Sequence, residues 1–534
     1  MDNINEEKKE ESPLLLFMKT HFLWFGGTAC LYAFLYTFCL YDNPAGITYP
    51  AAVAVTILFS VLWLGKAGIM VKRGSFFYFA AMLLLGISTC MTAKRQIHLF
   101  NTTGILLLFC AAMLHQMYED RNWNFSVYMK QMLLFIGTCI ISLFKPFEHM
   151  LYYLSQKKTA RKPDEKKQTS SILAGIGIAG LFLLCVMPLL ITSDQVFARY
   201  LVKFFSIPDI GTGIGLFFCF WAGFLLLYVF FAALFQQNLK EPVKKEEHPA
   251  NALTGITFTA ILAFIYVLFS GIQIIFLFLR QGLPDGMSYA QYAHQGFWQL
   301  LTVSLINIVT VLVCIQIFEK HPALKALLLV ISICTCVMTV SAAYRMLLYI
   351  SIYHLTFLRI LVLWFLGVLT LMMFGIMASI FHERFPLFQY IAAVVTCCYI
   401  LFSFARVDGL IASYNIRHAS QITWRDVSYF LDVLSEDAAP YIEELSEIEI
   451  EKYLLAEEDH YYYRYAPYEY STPEDLEQFE TVGDYLEPLF QSYMEEIAGR
   501  GKPSLRKWNF AHARAQEAAE EYLENHQIQK LQAE

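Results

Sequence analysis

Long apolar stretches that carry almost no charge constrain this chain more than any other feature. Each runs for about 18–25 residues, long enough for a helix to cross a hydrocarbon core of ~30 Å. Backbone groups in lipid must bond within their own segment, so every span is predicted to be helical. The predicted spans are 21–41, 47–65, 76–93, 99–117, 128–145, 171–191, 212–235, 253–279, 298–318, 323–343, 357–380 and 386–405. We therefore predict an all-α, polytopic transmembrane bundle of about 12 spans and exclude a soluble globular protein.

Charge divides the chain into regions. Of the 534 residues, 57% are hydrophobic and 16% are charged. Residues 1–405 hold 28 Lys and Arg against 19 Asp and Glu, whereas residues 406–534 hold 11 against 27. This pattern predicts a polar N-terminal arm at 1–20, a transmembrane helical domain at 21–405 and an acidic, helical, soluble domain at 406–534.

The acidic tail shows helical spacing of its apolar residues. Its predicted helices are Trp424–Leu434, Pro440–Leu455, Pro473–Ile497 and Ser504–His526. Nucleic acid is excluded as its partner, because binding there depends on neutralising phosphates with Lys and Arg. A protein partner that docks on the tail is the alternative that the sequence favours, and the lipid bilayer is the partner of the spans.

The distribution of Lys and Arg predicts the orientation of the bundle. With twelve crossings, the lysine-rich segment 157–167 lies in the cytoplasm and both termini lie outside. If the fifth span, 128–145, does not cross, the N-terminus moves to the cytoplasm and the C-terminal tail stays outside. Both arrangements place the tail on the extracytoplasmic side of the membrane.

Motifs that would indicate an enzyme are missing from the sequence. It has no G-x-x-x-x-G-K-[ST] phosphate loop, no H-E-x-x-H zinc motif, no G-x-S-x-G nucleophile motif and no dinucleotide fingerprint. All twelve cysteines lie in the apolar stretches, which argues against a disulfide framework or zinc site in the loops and tail. We therefore predict no catalytic residue, no metal and no cofactor, and favour a non-enzymatic protein.

A few polar residues at membrane depth are candidates for ligand contacts. Asn101 and Gln273 could either join helices by hydrogen bonds or contact an uncharged substrate. The segment 344–359 (YRMLLYISIYHLTFLR) is the densest polar cluster. Its Arg345, Tyr349, Tyr353 and Arg359 could clamp an anion such as a lipid phosphate or a carboxylate. The alternative is that they anchor the chain in the headgroup region.

Several segments resemble a bacterial multi-pass membrane family. They are 344–359, Tyr292–Asn307, Lys507–Phe510 with Arg514 and Ala515, and a tail pattern that includes Asn415, Arg425, Asp426, Tyr429 and Asp437. The family is a domain of unknown function, numbers 4153 and 4173, and the resemblance covers most of residues 95–515. It implies the architecture and a bacterial cytoplasmic (inner) membrane location, but no activity.

The resemblance also indicates tail residues for folding or docking. They are Asn415, Arg425, Asp426, Tyr429, Asp437, Trp508 and Asn509. One departure is His354, where the family tends to have Gly before Leu-Thr, which puts a glycine-dependent turn there in question.

Three hypotheses for function follow. The first is a non-enzymatic sensor, assembly or accessory component whose tail docks a partner or folds back on the bundle. The second is a permease or lipid-handling transporter for an uncharged or anionic small molecule, with a cavity lined by Asn101, Gln273 and the cluster at 344–359. The third is a membrane transferase that uses Asp194 or Asp285 beside His294.

Overall fold

The computed structural model describes residues 12–120, 123, 125–159, 210–236, 250–275, 297–382, 384–418, 421–454, 479–501 and 503–533. Helices, most of them long and apolar, make up most of the described part before residue 406. They are α1 (Pro13–Thr20), α2 (Phe22–Leu40), α3 (Thr48–Lys66), α4 (Ser75–Thr89), α5 (Arg95–Met117), α6 (Phe125–Ile141), α7 (Lys145–Thr159), α8 (Ile210–Phe235), α9 (Ala252–Gln273), α10 (Phe297–Ile317), α11 (Pro322–Tyr353), α12 (Phe357–Phe381) and α13 (Leu387–Phe404).

Each predicted span in the described part of the chain falls on helix, but α11 runs on to Tyr353, past the predicted end at 343, and α6 ends at Ile141, before the predicted end at 145. Ten helical segments of the described residues are long and apolar enough to cross a membrane, and α4 is a shorter apolar helix. The predicted span 171–191 lies outside the described residues. The chain is thus an all-α, multi-pass membrane protein, as the apolar stretches predicted.

Hydrogen bonds between loops define two ends of the bundle. At one end, the Ile47 amide donates to the Trp508 carbonyl at 2.8 Å and the Phe510 amide donates to the Cys90 carbonyl at 2.9 Å. We call this end the tail face. At the other end, which we call the opposite face, the Glu319 amide donates to the Ala250 carbonyl at 2.9 Å.

Both ends of α6 contact residues near the opposite face. Tyr128 stacks on Phe388 at the start of α13, with ring centroids 3.6 Å apart. Beyond the end of α6, the Ser142 hydroxyl donates to Gln236, after α8, at 3.1 Å. The predicted fifth span therefore does not reach the tail face, and the loop after α2 lies on the same face as the tail. Twelve crossings would place that loop and the tail on different faces, so the alternative without a fifth crossing fits the structure.

Three apolar clusters organise the described residues. The first lobe packs α1–α6 with α8, and the second lobe packs α9–α12. Gly223 lets α8 approach α2, since a Cβ there would lie 2.9 Å from the Tyr36 ring. The third cluster belongs to the tail but includes Ile97 of α5 and Phe402 of α13. The tail core is thus continuous with the tail face of the bundle.

The tail consists mainly of short helical pieces, and its last helix, which covers most of the predicted helix Ser504–His526, is long. Its elements are α14 (Val407–His418), β1 (Ile422–Thr423), α15 (Trp424–Ser428), a π-helical turn (Tyr429–Val433), a 3-10 turn (Glu436–Tyr441), α16 (Ile442–Ser446), a 3-10 turn (Ile450–Lys452), β2 (Tyr453–Leu454), α17 (Val482–Tyr485), α18 (Glu487–Ala498), a 3-10 turn (Leu505–Lys507) and α19 (Phe510–Ala533). The predicted helix Pro440–Leu455 is wrong, because the chain there ends in β2, which pairs in parallel with β1. A strand of two residues has no periodicity for a sequence to show.

Candidate functional site at the junction of tail and bundle

A buried ion pair lies at the centre of the junction. The Lys94 ammonium, just before α5, is 2.8 Å from a carboxylate oxygen of Asp408 in the first turn of α14, and these side chains are 7% and 0% exposed. The same Asp408 oxygen accepts a bond from the Ser435 amide at 2.7 Å. The ammonium also lies 5.2 Å from the centre of the Phe357 ring. This pair joins both lobes to the tail in a site that excludes water.

Asp437 makes a second buried contact with the bundle. One of its carboxylate oxygens accepts bonds from the Thr92 hydroxyl at 2.6 Å and from the Ala93 amide at 3.0 Å. Burial raises the pKa of Asp437, and these bonds offset that rise only in part. The sequence singled out Asp437 in the tail but gave no indication of the loop before α5 as its partner.

Asn509 connects the start of α19 to two loops of the bundle. Its amide nitrogen donates to the Ala45 and Thr92 carbonyls at 2.9 and 3.2 Å. Its amide oxygen accepts from the Ala511 amide at 2.8 Å, which caps the first turn of α19. One buried side chain therefore both starts the last helix and holds it against the tail face. The neighbouring Trp508 takes part through its backbone carbonyl.

The residues just before α19 form hydrogen bonds with the end of α2 and the loop after it. The Arg506 guanidinium donates to the Phe38 and Tyr41 carbonyls at 3.0 and 2.8 Å, where α2 ends. In return, Asn43 donates to the Arg506 carbonyl at 2.9 Å. Unbonded carbonyls at a helix C-terminus attract cations, so the arginine is well placed there.

Asn415 contacts the turn between α11 and α12. Its amide nitrogen and oxygen bond to the Leu355 carbonyl and amide at 2.9 and 2.7 Å. The preceding residue, His354, has φ 61° and ψ 175°, a conformation that suits glycine. The turn is therefore present in this chain, although a histidine occupies the position where the family tends to have glycine.

Arg359 belongs to the same turn. Its guanidinium donates to the carbonyls of Tyr353 and His354 and lies 4.5 Å from the centre of the Tyr349 ring. Tyr349 and Arg359 also line a cavity of about 240 Å³ with Trp298. Arg359 therefore binds backbone carbonyls at the C-terminal end of α11.

Arg345 lies apart from Arg359, in a different cavity. It is 8% exposed. Its guanidinium donates to Gln273 at 3.2 Å, and Gln273 also accepts from the Ser341 hydroxyl at 2.7 Å. Gln273 therefore joins α9 to α11 by hydrogen bonds. Both side chains line a cavity of about 360 Å³ between α9, α10 and α11.

Asn101 joins three helices of the bundle. It is fully buried. Its amide nitrogen donates to the Thr89 hydroxyl of α4 at 3.0 Å, and its amide oxygen accepts from Tyr399 and Ser403 of α13 at 2.8 Å each. The described residues therefore do not bring Asn101 into one cavity with Gln273 and the cluster at 344–359.

The remaining tail candidates lie in and around α15. Asp426 accepts bonds from the amide and hydroxyl of Thr423 at 2.9 and 2.7 Å and so caps that helix. Arg425 is on the same helix, and Tyr429 begins the π-helical turn, where burial raises the pKa of its phenol. These residues shape the tail around the Asp408 and Asp437 contacts.

A second charged group holds α19 against the tail core. Glu436 bonds to His512 and Arg500, and its side chain is 16% exposed. Burial raises the pKa of Glu436, but the bonds and charges of His512 and Arg500 outweigh burial and lower the pKa overall. The carboxylate form is therefore the one that stabilises this contact.

The sequence missed Lys94, Asp408 and Arg506 as members of the junction. Each is a charged residue close to the end of a span or of the tail, where an exposed position is the ordinary expectation. Only Lys94 and Asp408 had a sequence signal for this site, because they lie next to spans whose ends meet at the tail face. Asp194, Asp285 and His294, on which the transferase hypothesis rests, lie outside the described residues.

The fold and the junction define a polytopic helical membrane protein with a folded tail bonded to one face. The family model described as "Domain of unknown function (DUF4153)" matches residues 79–445. This match spans more than half of the chain, and the chain belongs to that family. The matched part contains α5–α15 and all of α16 except its last residue, and it includes Lys94, Asp408 and Asp437. Neither the curated proteins nor the solved structures gave a match.

Proposed function

We propose that this chain is a non-enzymatic sensor, assembly or accessory component of the bacterial cytoplasmic membrane. Its tail connects the two lobes of the bundle and presents an acidic surface to a protein partner. The observation that carries the proposal is the junction: Asp408, Asp437 and Asn509 contact loops of the first lobe, and Asn415 contacts the turn between α11 and α12 of the second. Movement of one lobe against the other would strain these contacts, so the tail is coupled to the state of the bundle.

The charges of the loops support an extracytoplasmic tail. Near the opposite face lie Lys19, Lys66, Lys72, Arg73, Lys145, Lys320, Lys325 and Arg384. At the tail face, the loops and helix ends of the bundle hold Lys94, Arg95, Arg345, Arg359 and Arg406. The charges of the folded tail, such as Arg506 and Lys507, are not counted, because long domains cross the membrane largely regardless of their charge. Lys and Arg are enriched in cytoplasmic loops, so the opposite face is proposed to be cytoplasmic.

The surface offered to a partner is acidic and helical. Exposed carboxylates on α18 and α19 are Glu495, Glu496, Glu517, Glu520, Glu521 and Glu524. The apolar side of α19 is already covered, since Ala511, Ala515 and Ala519 are buried in the tail core. A basic protein surface is therefore the partner chemistry that we propose.

The test is complementation of a deletion strain with full-length variants. Reversing the charges of Glu517, Glu520 and Glu524 to Lys is expected to abolish complementation and photocrosslinking from position 521, which is also exposed, while the protein stays in the membrane. The matched control reverses the exposed Glu449 and Glu451 and should complement. A chain that ends after Arg406 and complements fully would contradict the proposal.

A second candidate function, lipid handling, is favoured by the cavity between α9, α10 and α11. It predicts that proteoliposomes move a fluorescent phospholipid between leaflets, so that a membrane-impermeant reductant bleaches nearly all of the dye. If only the outer-leaflet dye is bleached, as in protein-free vesicles, this candidate is wrong.

A further inference from the structure

The cavity between α9, α10 and α11 is graded in polarity along the membrane normal. Gln273 ends α9 and Gln299 lies in the first turn of α10, so both are at the tail-face ends of their helices. The Arg345 guanidinium of α11 lies at the same depth, because it donates to Gln273 at 3.2 Å. The cavity therefore has a cationic, amide-lined end at the tail face.

The rest of the cavity lies deeper in the bundle and is lined by apolar side chains, apart from Tyr266. Its lining includes Ile265, Phe269, Val303 and Met338. Met338 precedes Arg345 by two helical turns on α11, about 10 Å along the axis, and Ile265 precedes Gln273 by a similar distance on α9. Ile265 is 52% exposed at the lipid-facing surface of the bundle, so the deep end borders the hydrocarbon region.

We propose that this cavity binds an anionic phospholipid of the tail-side leaflet. The phosphate contacts Arg345, with the Gln273 and Gln299 amides beside it, and an acyl chain occupies the apolar end. A guanidinium matches phosphate geometry with paired donors. The volume of about 360 Å³ falls within the range of small-molecule sites.

The order of polar and apolar groups selects a lipid over a free phosphate. A soluble anion would use only the polar end and leave Val303, Met338 and Phe269 without a role. A phospholipid in the membrane has its phosphate and its chains at the same relative depths as the two ends of the cavity. This inference does not depend on the tail docking a partner or on lipid transport.

The test is native mass spectrometry of the full-length protein with phosphatidylglycerol and phosphatidylcholine that carry identical chains. The wild type is expected to retain phosphatidylglycerol preferentially. Arg345→Gln should weaken that retention by about tenfold, the loss of one charge-assisted contact. Arg95→Gln, which removes an exposed charge at the same face away from the cavity, is the matched control and should bind like the wild type.

A second variant tests the apolar end. Val303→Trp fills the cavity and leaves Arg345 in place, so it should reduce retention of both lipids, and it carries the test if Arg345→Gln fails to fold. Glycerol 3-phosphate supplies the anion without chains and should not compete. Unchanged phosphatidylglycerol retention in the folded variants would overturn the proposal, as would competition by glycerol 3-phosphate at the concentration of the lipid.

Discussion

Two ion pairs that involve the tail have the same N–O distance, 2.8 Å, in very different surroundings. The Lys94–Asp408 side chains are 7% and 0% exposed, whereas the Arg417–Glu444 side chains are 59% and 39% exposed. Water screens the exposed pair and can solvate either partner alone. In the buried pair, loss of one charge leaves the other without solvent, so burial decides what each residue contributes.

We expect Asp408→Asn to lower the free energy of tail unfolding by about 3–5 kcal/mol, because Lys94 then stays buried without its counter-charge. Hydrogen exchange of α14 amides in the full-length protein measures this change. The exposed-pair variant Glu444→Gln should cost less than about 1 kcal/mol. Equal effects of the two variants would contradict the role assigned to burial.

His354 stores backbone strain at the turn that Asn415 contacts. With φ 61° and ψ 175°, a non-glycine residue costs on the order of 1–3 kcal/mol. His354→Gly is therefore expected to stabilise the protein by about 1 kcal/mol, measured by thermal unfolding in detergent. His382, which ends α12 with φ −114°, gives the control: His382→Gly should bring no gain.

Among the elements, α19 is held at its start by polar contacts and along its inner side by buried residues that include Tyr522. Its buried residues are mostly alanines, which bury little apolar area, and its outer side is acidic. Asn509 caps it and Glu436 bonds to His512 in its first turn. The position of the helix therefore depends on polar contacts, and the strength of the contact at Glu436 varies with pH.

The lowered pKa of Glu436 gives that dependence a direction. A carboxyl whose pKa falls on folding contributes stability above its ordinary pKa and loses it as the pH falls through the folded value. The stability difference between wild type and Glu436→Gln should therefore be largest near neutral pH and shrink in acid, measured by unfolding across pH. A difference that grows in acid would contradict this.

The wild type is compared with Glu436→Gln because the stability that Asp437 contributes changes with pH in the opposite direction. Its pKa is raised, so the stability it contributes is present at low pH and is lost as the pH rises through the raised value. The wild type and the Glu436→Gln variant both keep Asp437, so its effect cancels in the difference between their stabilities.

At the scale of the whole molecule, the junction fixes which loops share a face. The α2–α3 and α4–α5 loops, the α11–α12 turn and the tail lie at one end, and α6 does not cross to it. In the described residues, the loops and helix ends of the bundle then hold at least eight Lys and Arg at the opposite face and five at the tail face. The proposed orientation rests on these tertiary contacts combined with the charges of the loops.

Labelling of single cysteines checks the orientation. Leu505→Cys at the tail face, where Leu505 is 82% exposed, should react with a membrane-impermeant maleimide in intact spheroplasts. Lys320→Cys at the opposite face should react only after permeabilisation. The unsubstituted chain controls for native cysteines, and the reverse pattern would show that the tail is cytoplasmic.

The sequence by itself determined the membrane helices and the helical, acidic character of the tail. Length and hydropathy act locally, because each stretch meets the bilayer on its own and needs no partner to be stable there. The candidate residues Asp437, Asn415 and Asn509 were found through resemblance, but their contacts were not.

Only the tertiary structure decided how those parts meet. Lys94 pairs with Asp408, and Asn509 reaches the loops after α2 and α4, across hundreds of residues of sequence. Such contacts leave no local periodicity, and a charged residue beside a span has the same appearance in sequence whether it faces water or a buried partner. The junction, the course of α6 and the cavity at Arg345 depend on packing between distant segments, which is why the sequence could not supply them.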